Sequence, residues 1–142
     1  MNKSVIVVDD NVDSLGSISD YLDLRGFDIL GCGRNGLDAV QLYEKHTPDV
    51  VLLDLNMPVY DGLYGLEHIK KINSHAKVII LTGFCNEHDE KLIKLFKVTE
   101  IIEKPCSSNQ LEKFLKLIQM ITWDSYCIFY LVPIYIKYYY MS

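Results

Sequence analysis

Four short stretches carry side chains suited to chemistry: Asp9-Asp10, Asp54-Leu55-Asn56-Met57-Pro58, Thr82-Gly83 and Lys104-Pro105. Each follows a short run of Val, Ile and Leu: Val5 to Val8, Val50 to Leu53, Val78 to Leu81 and Ile101 to Ile102. If those runs are parallel strands of one open sheet, three carboxylates, a hydroxyl and an amine converge where such sheets bind ligands. Three carboxylates at close range repel and raise one another's pKa unless a cation joins them. A hard divalent ion resolves this. Mg²⁺ takes oxygen ligands, keeps several waters and commonly shares its shell with a phosphate. A lysine with a hydroxyl partner suits phosphoryl oxygens, as a point charge plus a hydrogen-bond donor. The remaining task is nucleophilic, and a carboxylate can take a phosphoryl group to form an aspartyl phosphate.

The elements that must position these residues follow from the apolar pattern. Near-continuous rather than alternating runs predict strands covered on both faces, as in a parallel sheet. A weaker fifth run surrounds Phe27, Ile29 and Leu30. Helical spacing appears at Leu15, Ile18, Tyr21 and Leu22, at Leu92, Leu95 and Phe96, and at Leu111, Phe114 and Leu115, continued by Ile118. Glu87, Asp89 and Glu90 precede Lys91, Lys94 and Lys97, an order that complements a helix dipole and sets Glu87–Lys91 and Glu90–Lys94 one turn apart. Ser107, Ser108 and Asn109 offer caps for the last helix. The alternation predicts (βα)5 over residues 3–119. With right-handed crossovers this is a flavodoxin-like, doubly wound, five-stranded parallel sheet with helices on both faces.

At 142 residues the chain has room for one such domain. Its net charge of −5 is unevenly spread. Residues 1–62 hold eleven acids against four bases, and residues 63–142 hold eight against ten. An acidic chain without clustered Lys and Arg is a poor partner for nucleic acid. Cys32, Cys85, Cys106 and Cys127 form no CxxC pair and have no histidine at ligand spacing, which argues against zinc and for reduced thiols in the cytoplasm. His46, His68, His75 and His88 share no spacing and are expected at the surface. Residues 120–142 break the pattern: seven of the fifteen residues from Tyr126 to Tyr140 are aromatic. The uncharged stretch Ser125 to Ile136 is twelve residues, whereas a spanning helix needs about 20. The expectation is an appendage that packs on this domain or on a second copy, not a membrane span.

Taken in order, Val7-Val8-Asp9-Asp10, Asp54-Leu55-Asn56-Met57-Pro58 with Asp61-Gly62, Leu81-Thr82-Gly83 and Lys104-Pro105 resemble the receiver domain of two-component response regulators. The resemblance spans residues 3–119, about the whole of such a domain. It implies that Asp54 accepts a phosphoryl group from the phosphohistidine of a sensor kinase or phosphotransfer protein. It further implies that Asp10, Asp54 and the backbone carbonyl of Asn56 hold Mg²⁺, with Asp9 acting through water. Lys104 would pair with the phosphate, Thr82 would move toward it as a switch, and the Lys104-Pro105 bond would be cis. Such a chain relays its signal by binding a downstream protein; its only chemistry would be self-phosphorylation and slow self-dephosphorylation. Asp61-Gly62 reads as a turn.

Two positions depart from the family pattern. Ile101 stands where the family usually has the aromatic partner of the switch hydroxyl, and Lys97-Val98 stands where it favours Gly-Ala. The phosphoacceptor set is intact, but readout by an aromatic rotamer is not expected. Residues 120–142 are too few for an effector domain with its own core, so a stand-alone receiver is expected. Two alternatives compete with it. A small Mg²⁺-dependent phosphohydrolase with an Asp nucleophile would need a general acid two residues on, where Asn56 stands. A phosphorylation-independent scaffold would act through the aromatic tail.

Overall fold

The structure, a computed structural model, describes residues 2–105 and 107–121. The expected aromatic extension therefore lies, from residue 122 onward, outside the described residues, as does Cys106. Five strands alternate with five helices. In order they are β1 Ser4–Val8, α1 Val12–Leu24, β2 Asp28–Gly33, α2 Gly36–His46, β3 Val50–Leu53, α3 Gly62–Ile72, β4 Val78–Thr82, α4 Glu87–Leu95, β5 Glu100–Glu103 and α5 Ser108–Ile121. The strands form one sheet in the order β2-β1-β3-β4-β5, every pairing parallel. This is the predicted doubly wound architecture.

The continuous apolar runs work as the pattern requires at the centre of the sheet. Every residue of β3 and β4 is buried. Ile6, Val8, Val51, Leu53, Val78 and Ile80 face one layer with Ala39, Tyr43, Leu66, Ile69 and Ile93. Val5, Val7, Val50, Leu52, Ile79 and Leu81 face the other with Leu22, Phe27, Phe114, Leu115 and Ile118. Each fully buried aliphatic side chain contributes about 1.5–3 kcal/mol, so the two layers fix the strand ends rigidly.

Two readings of the sequence need correction. The fourth helix does not present Leu92, Leu95 and Phe96 as its inner stripe. Ile93 is fully buried, Leu92 and Phe96 are half-buried, and Leu95 is 70% exposed. At 100° per residue Leu95 lies about 200° around the helix from Ile93, so both cannot face the sheet. The last strand is not covered on both faces either: Ile101 and Ile102 are half-buried and the flanking Glu100 and Glu103 exposed, because β5 is an edge.

Helix starts all fall on the carboxyl edge of the sheet, and a side-chain oxygen caps each. Asn11, Asn35, Asp61 and Asn86 accept from the backbone N–H of Ser14, Asp38, Tyr64 and Asp89 at 2.8–2.9 Å. Ser107 Oγ accepts from Gln110 N at 3.3 Å, so Ser107 is the cap among the three candidates. Of the two predicted helix pairs, Glu90–Lys94 forms at 3.9 Å. These caps close the loops that carry the polar residues.

Candidate functional site

Asp9 follows β1, Asp54 follows β3, Thr82 ends β4 and Lys104 follows β5. Parallel pairing of those strands brings all four to one edge. Backbone bonds hold the register there: Asp54 N donates to Val8 O at 3.0 Å, Asp9 N to Gly33 O at 3.0 Å and Lys104 N to Thr82 O at 2.9 Å. Asp9 is 3% exposed, Asp54 8% and Thr82 0%. The carboxylates of Asp9, Asp10 and Asp54 each place an oxygen within 4.8 Å of the others. The Lys104 ammonium forms a close ion pair with Asp9 and lies 3.6 Å from Asp54 Oδ2. The Lys104-Pro105 peptide is cis.

Burial pushes the Asp54 carboxyl above its usual range. Lys104 opposes the shift, as do the Asn56 N–H and the neighbouring Thr82 side chain, while Asp9 adds to it. Asn56 N stands 3.4 Å from Asp54 Oδ1. Three carboxylates against one ammonium leave two negative charges on a small edge. The donor set is oxygen only, without thiolate or imidazole, and that chemistry fits a hard divalent ion such as Mg²⁺.

Thr82 does not aim its hydroxyl at Asp54. Its Oγ1 donates to the Phe84 carbonyl at 3.0 Å and accepts from Asn56 Nδ2 at 3.1 Å. The same Asn56 amide donates to the Phe84 carbonyl at 2.9 Å. The Asn56 side chain thus turns toward the β4–α4 loop. Phe84 is 65% exposed, whereas Cys85 is half-buried against the core.

Sequence reasoning missed three contributors. Gly62 lies so close to the β3 end that a Cβ there would meet Asp54 O at 2.1 Å and Leu55 Cα at 2.7 Å. Gly36 seats the start of α2 on the same loop, with a Cβ position 2.1 Å from Asp61 O. Arg34 Nη2 donates to the Asp10 carbonyl at 3.2 Å and so braces the β1–α1 turn. The Asp61-Gly62 pair was the available signal: Asp61 caps α3, and Gly62 permits the close approach of that cap to Asp54.

A five-stranded doubly wound domain with buried acids and a lysine at its carboxyl edge defines a class, and comparison with known proteins places the chain within it. The family model for the response regulator receiver domain matches residues 5–116. The polar-differentiation response regulator DivK of Brucella anthropi is 33% identical over 109 residues, 75% of this chain and 88% of that protein. The chemotaxis protein CheY of Bacillus subtilis is 36% identical over 83 residues, 58% of this chain and 69% of that protein. Among solved structures, the CheX-CheY-BeF3-Mg complex from Borrelia burgdorferi superposes with a TM-score of 0.74 at 27% identity, covering 84% of this chain and 88% of that one. The chain belongs to the response regulator receiver family.

Proposed function

We propose that this chain is a phosphoacceptor switch, charged on Asp54 by a sensor histidine kinase or phosphotransfer protein and read by a downstream protein. The observation that carries the reading is the shared lysine: Lys104 reaches both Asp9 and Asp54 at an edge where three carboxylates crowd together. Asp9, Asp10 and Asp54 are the side chains that would hold Mg²⁺, with the Asn56 carbonyl completing the protein's share. When bound, that ion supplies charge neutralisation and polarisation at the phosphoryl oxygens.

In the transfer step an Asp54 carboxylate oxygen attacks phosphorus. The O–P bond forms as the P–N bond to the donor histidine breaks, and the electron pair leaves on the imidazole nitrogen, which takes a proton. Lys104 orients the acceptor carboxylate beforehand and pairs with the phosphoryl oxygens afterwards. Thr82 exchanges its carbonyl partner for a phosphoryl oxygen. Asn56 cannot serve as the proton donor and acceptor of a phosphohydrolase, so turnover is not the product of this site.

The cytoplasm is the proposed compartment, and among the described residues no helix is long and apolar enough to cross a membrane. Residues 120–142 are proposed to pack on the domain or to pair two copies. Sizing by light scattering of the full chain against residues 1–119 tests that; equal mass and equal dye binding reject it. The phosphoacceptor reading is tested by incubation with Mg²⁺ and a small acyl phosphate, followed by intact-mass measurement. One added phosphoryl group, absent from Asp54→Asn and from Asp10→Ala, is the expected result. Modification that persists in Asp54→Asn overturns the assignment.

A further inference from the structure

We propose that Asn56 is a positioning residue that latches the switch hydroxyl, through its carboxamide and not through the backbone carbonyl assigned above to Mg²⁺. This rests on the phosphoacceptor reading and says what sets its conformational equilibrium. The carboxamide has two N–H protons, and both are committed across the cleft: one to Thr82 Oγ1 at 3.1 Å, one to the Phe84 carbonyl at 2.9 Å. Thr82 has a single hydroxyl proton, and that proton also goes to the Phe84 carbonyl, at 3.0 Å. The three groups close a ring between the β3–α3 and β4–α4 loops.

The ring has consequences for the switch. Thr82 is fully buried, so water does not compete for its hydroxyl. Its one proton has two takers, the Phe84 carbonyl and an oxygen on Asp54. An oxygen bonded to Asp54 therefore draws a proton that the ring holds elsewhere. Asn56 weights the choice: its N–H at 3.1 Å, with the Phe84 N–H at 3.4 Å, occupies the lone pairs of Oγ1, and its second bond holds Phe84 as an acceptor within reach. The side chain of Asn56 is itself exposed, so its removal leaves the core intact. The two Asn56 bonds span the gap between the β3–α3 and β4–α4 loops, so trading them lets one loop shift against the other.

The test uses the full chain with beryllium fluoride and Mg²⁺ as the phosphoryl mimic, and compares wild type, Asn56→Ala, Thr82→Ala and the double variant. One net hydrogen bond is worth a factor of roughly two to twelve. Asn56→Ala is expected to bind the mimic tighter by about that factor, and to show no such gain once Thr82→Ala has removed the hydroxyl. Mg²⁺ affinity, measured separately in each variant, separates this from an effect on the metal. A second readout needs no ligand: three-bond couplings of Thr82 should report one χ1 rotamer in wild type and averaging in Asn56→Ala. Equal gains with and without the Thr82 hydroxyl, or a single Thr82 rotamer in both proteins, overturn the latch. A wild type that neither binds the mimic nor accepts phosphate overturns the phosphoacceptor reading instead, and the rotamer result still decides the latch.

Discussion

The carboxyl end of β3 and the flank of β5 belong to one sheet, and they are packed to opposite extremes. Val50 to Leu53 are all buried, and the chain then turns through Asp54 with the backbone of Gly62 close against the Asp54 carbonyl. On β5, Ile101 and Ile102 are half-buried and border an open groove of about 760 Å³ that Lys94 of α4 and Phe114, Leu117 and Met120 of α5 also line. The first region has one arrangement available, because close-packed interiors do not deform continuously. The second has space for side chains to repack. The clustered carboxylates sit in the rigid region and, on the proposed function, the looser flank is where a change of charge at Asp54 has room to be expressed.

The sharpest way to break this contrast is to strain the rigid region directly. Gly62→Ala should place a methyl group where the backbone of Asp54 and Leu55 now lies, and no flexible side chain can yield. The expected cost is about 3 kcal/mol or more in denaturant unfolding, together with loss of phosphoryl acceptance. Gly83→Ala is the matched control on β4, since the nearest atom to its Cβ would be Lys104 Cβ at 4.0 Å. If both variants fold and accept phosphate equally, the β3–α3 loop is not the constraint it looks to be.

Truncation measures the same difference with less violence. Leu53→Ala removes a fully buried side chain between two covered faces and should cost about 2–5 kcal/mol. Ile101→Ala removes a half-buried one beside open space, where neighbours can close in, and should cost about 1 kcal/mol. Similar losses, measured as midpoint shifts at constant denaturant slope, would mean that β5 is packed as tightly as β3.

What the sequence showed, and what it hid, follows the same division. Asp9, Asp54, Thr82 and Lys104 were legible because each ends an apolar run, and parallel pairing of such runs leaves no other place for them. β5 looked like the central strands because Ile101-Ile102 is as apolar as Val50 to Leu53; being an edge is a property of the neighbours, not of the residues. The inner face of α4 was misread because Leu92, Leu95 and Phe96 satisfy helical spacing as well as the stripe that ends in Ile93 and Phe96. The ring joining Asn56, Thr82 and Phe84 spans 28 residues of sequence and depends on rotamers, which no local pattern encodes. Lys97-Val98 registered only as a departure. Its cost became visible in the backbone, where Lys97 takes φ 51°.

Charge separates the two regions in a further way. Burial raises the Asp54 carboxyl, so in Mg²⁺-free buffer the folded chain holds that proton more tightly than the unfolded chain does. Stability then falls as pH climbs from the usual carboxylate range through the raised value, because the native state binds the extra proton. Asp54→Asn should therefore raise the melting temperature at neutral pH, and the gain should shrink as pH drops below the carboxylate range. Added Mg²⁺ should favour the wild type and narrow the difference. A variant less stable than wild type at neutral pH without metal would show that Lys104 outweighs burial.

The smallest effect belongs to the approach to β5. Lys97 sits between α4 and β5 in the left-handed region, where a side chain costs about 1–2 kcal/mol and glycine costs nothing. Against that, a glycine gives the unfolded chain extra freedom worth about 0.4–1 kcal/mol. The Lys97 carbonyl also accepts from Lys70 Nζ at 3.3 Å, a bond that glycine keeps because it involves backbone only. The two opposing terms leave Lys97→Gly more stable by roughly 0.5 kcal/mol. Lys97→Ala retains the strained Cβ and should show no such gain, which separates backbone strain from loss of the charged side chain. A lower unfolding midpoint for the glycine variant, with the slope unchanged, would mean that the β5 approach carries no strain and that its looseness comes from the open groove alone.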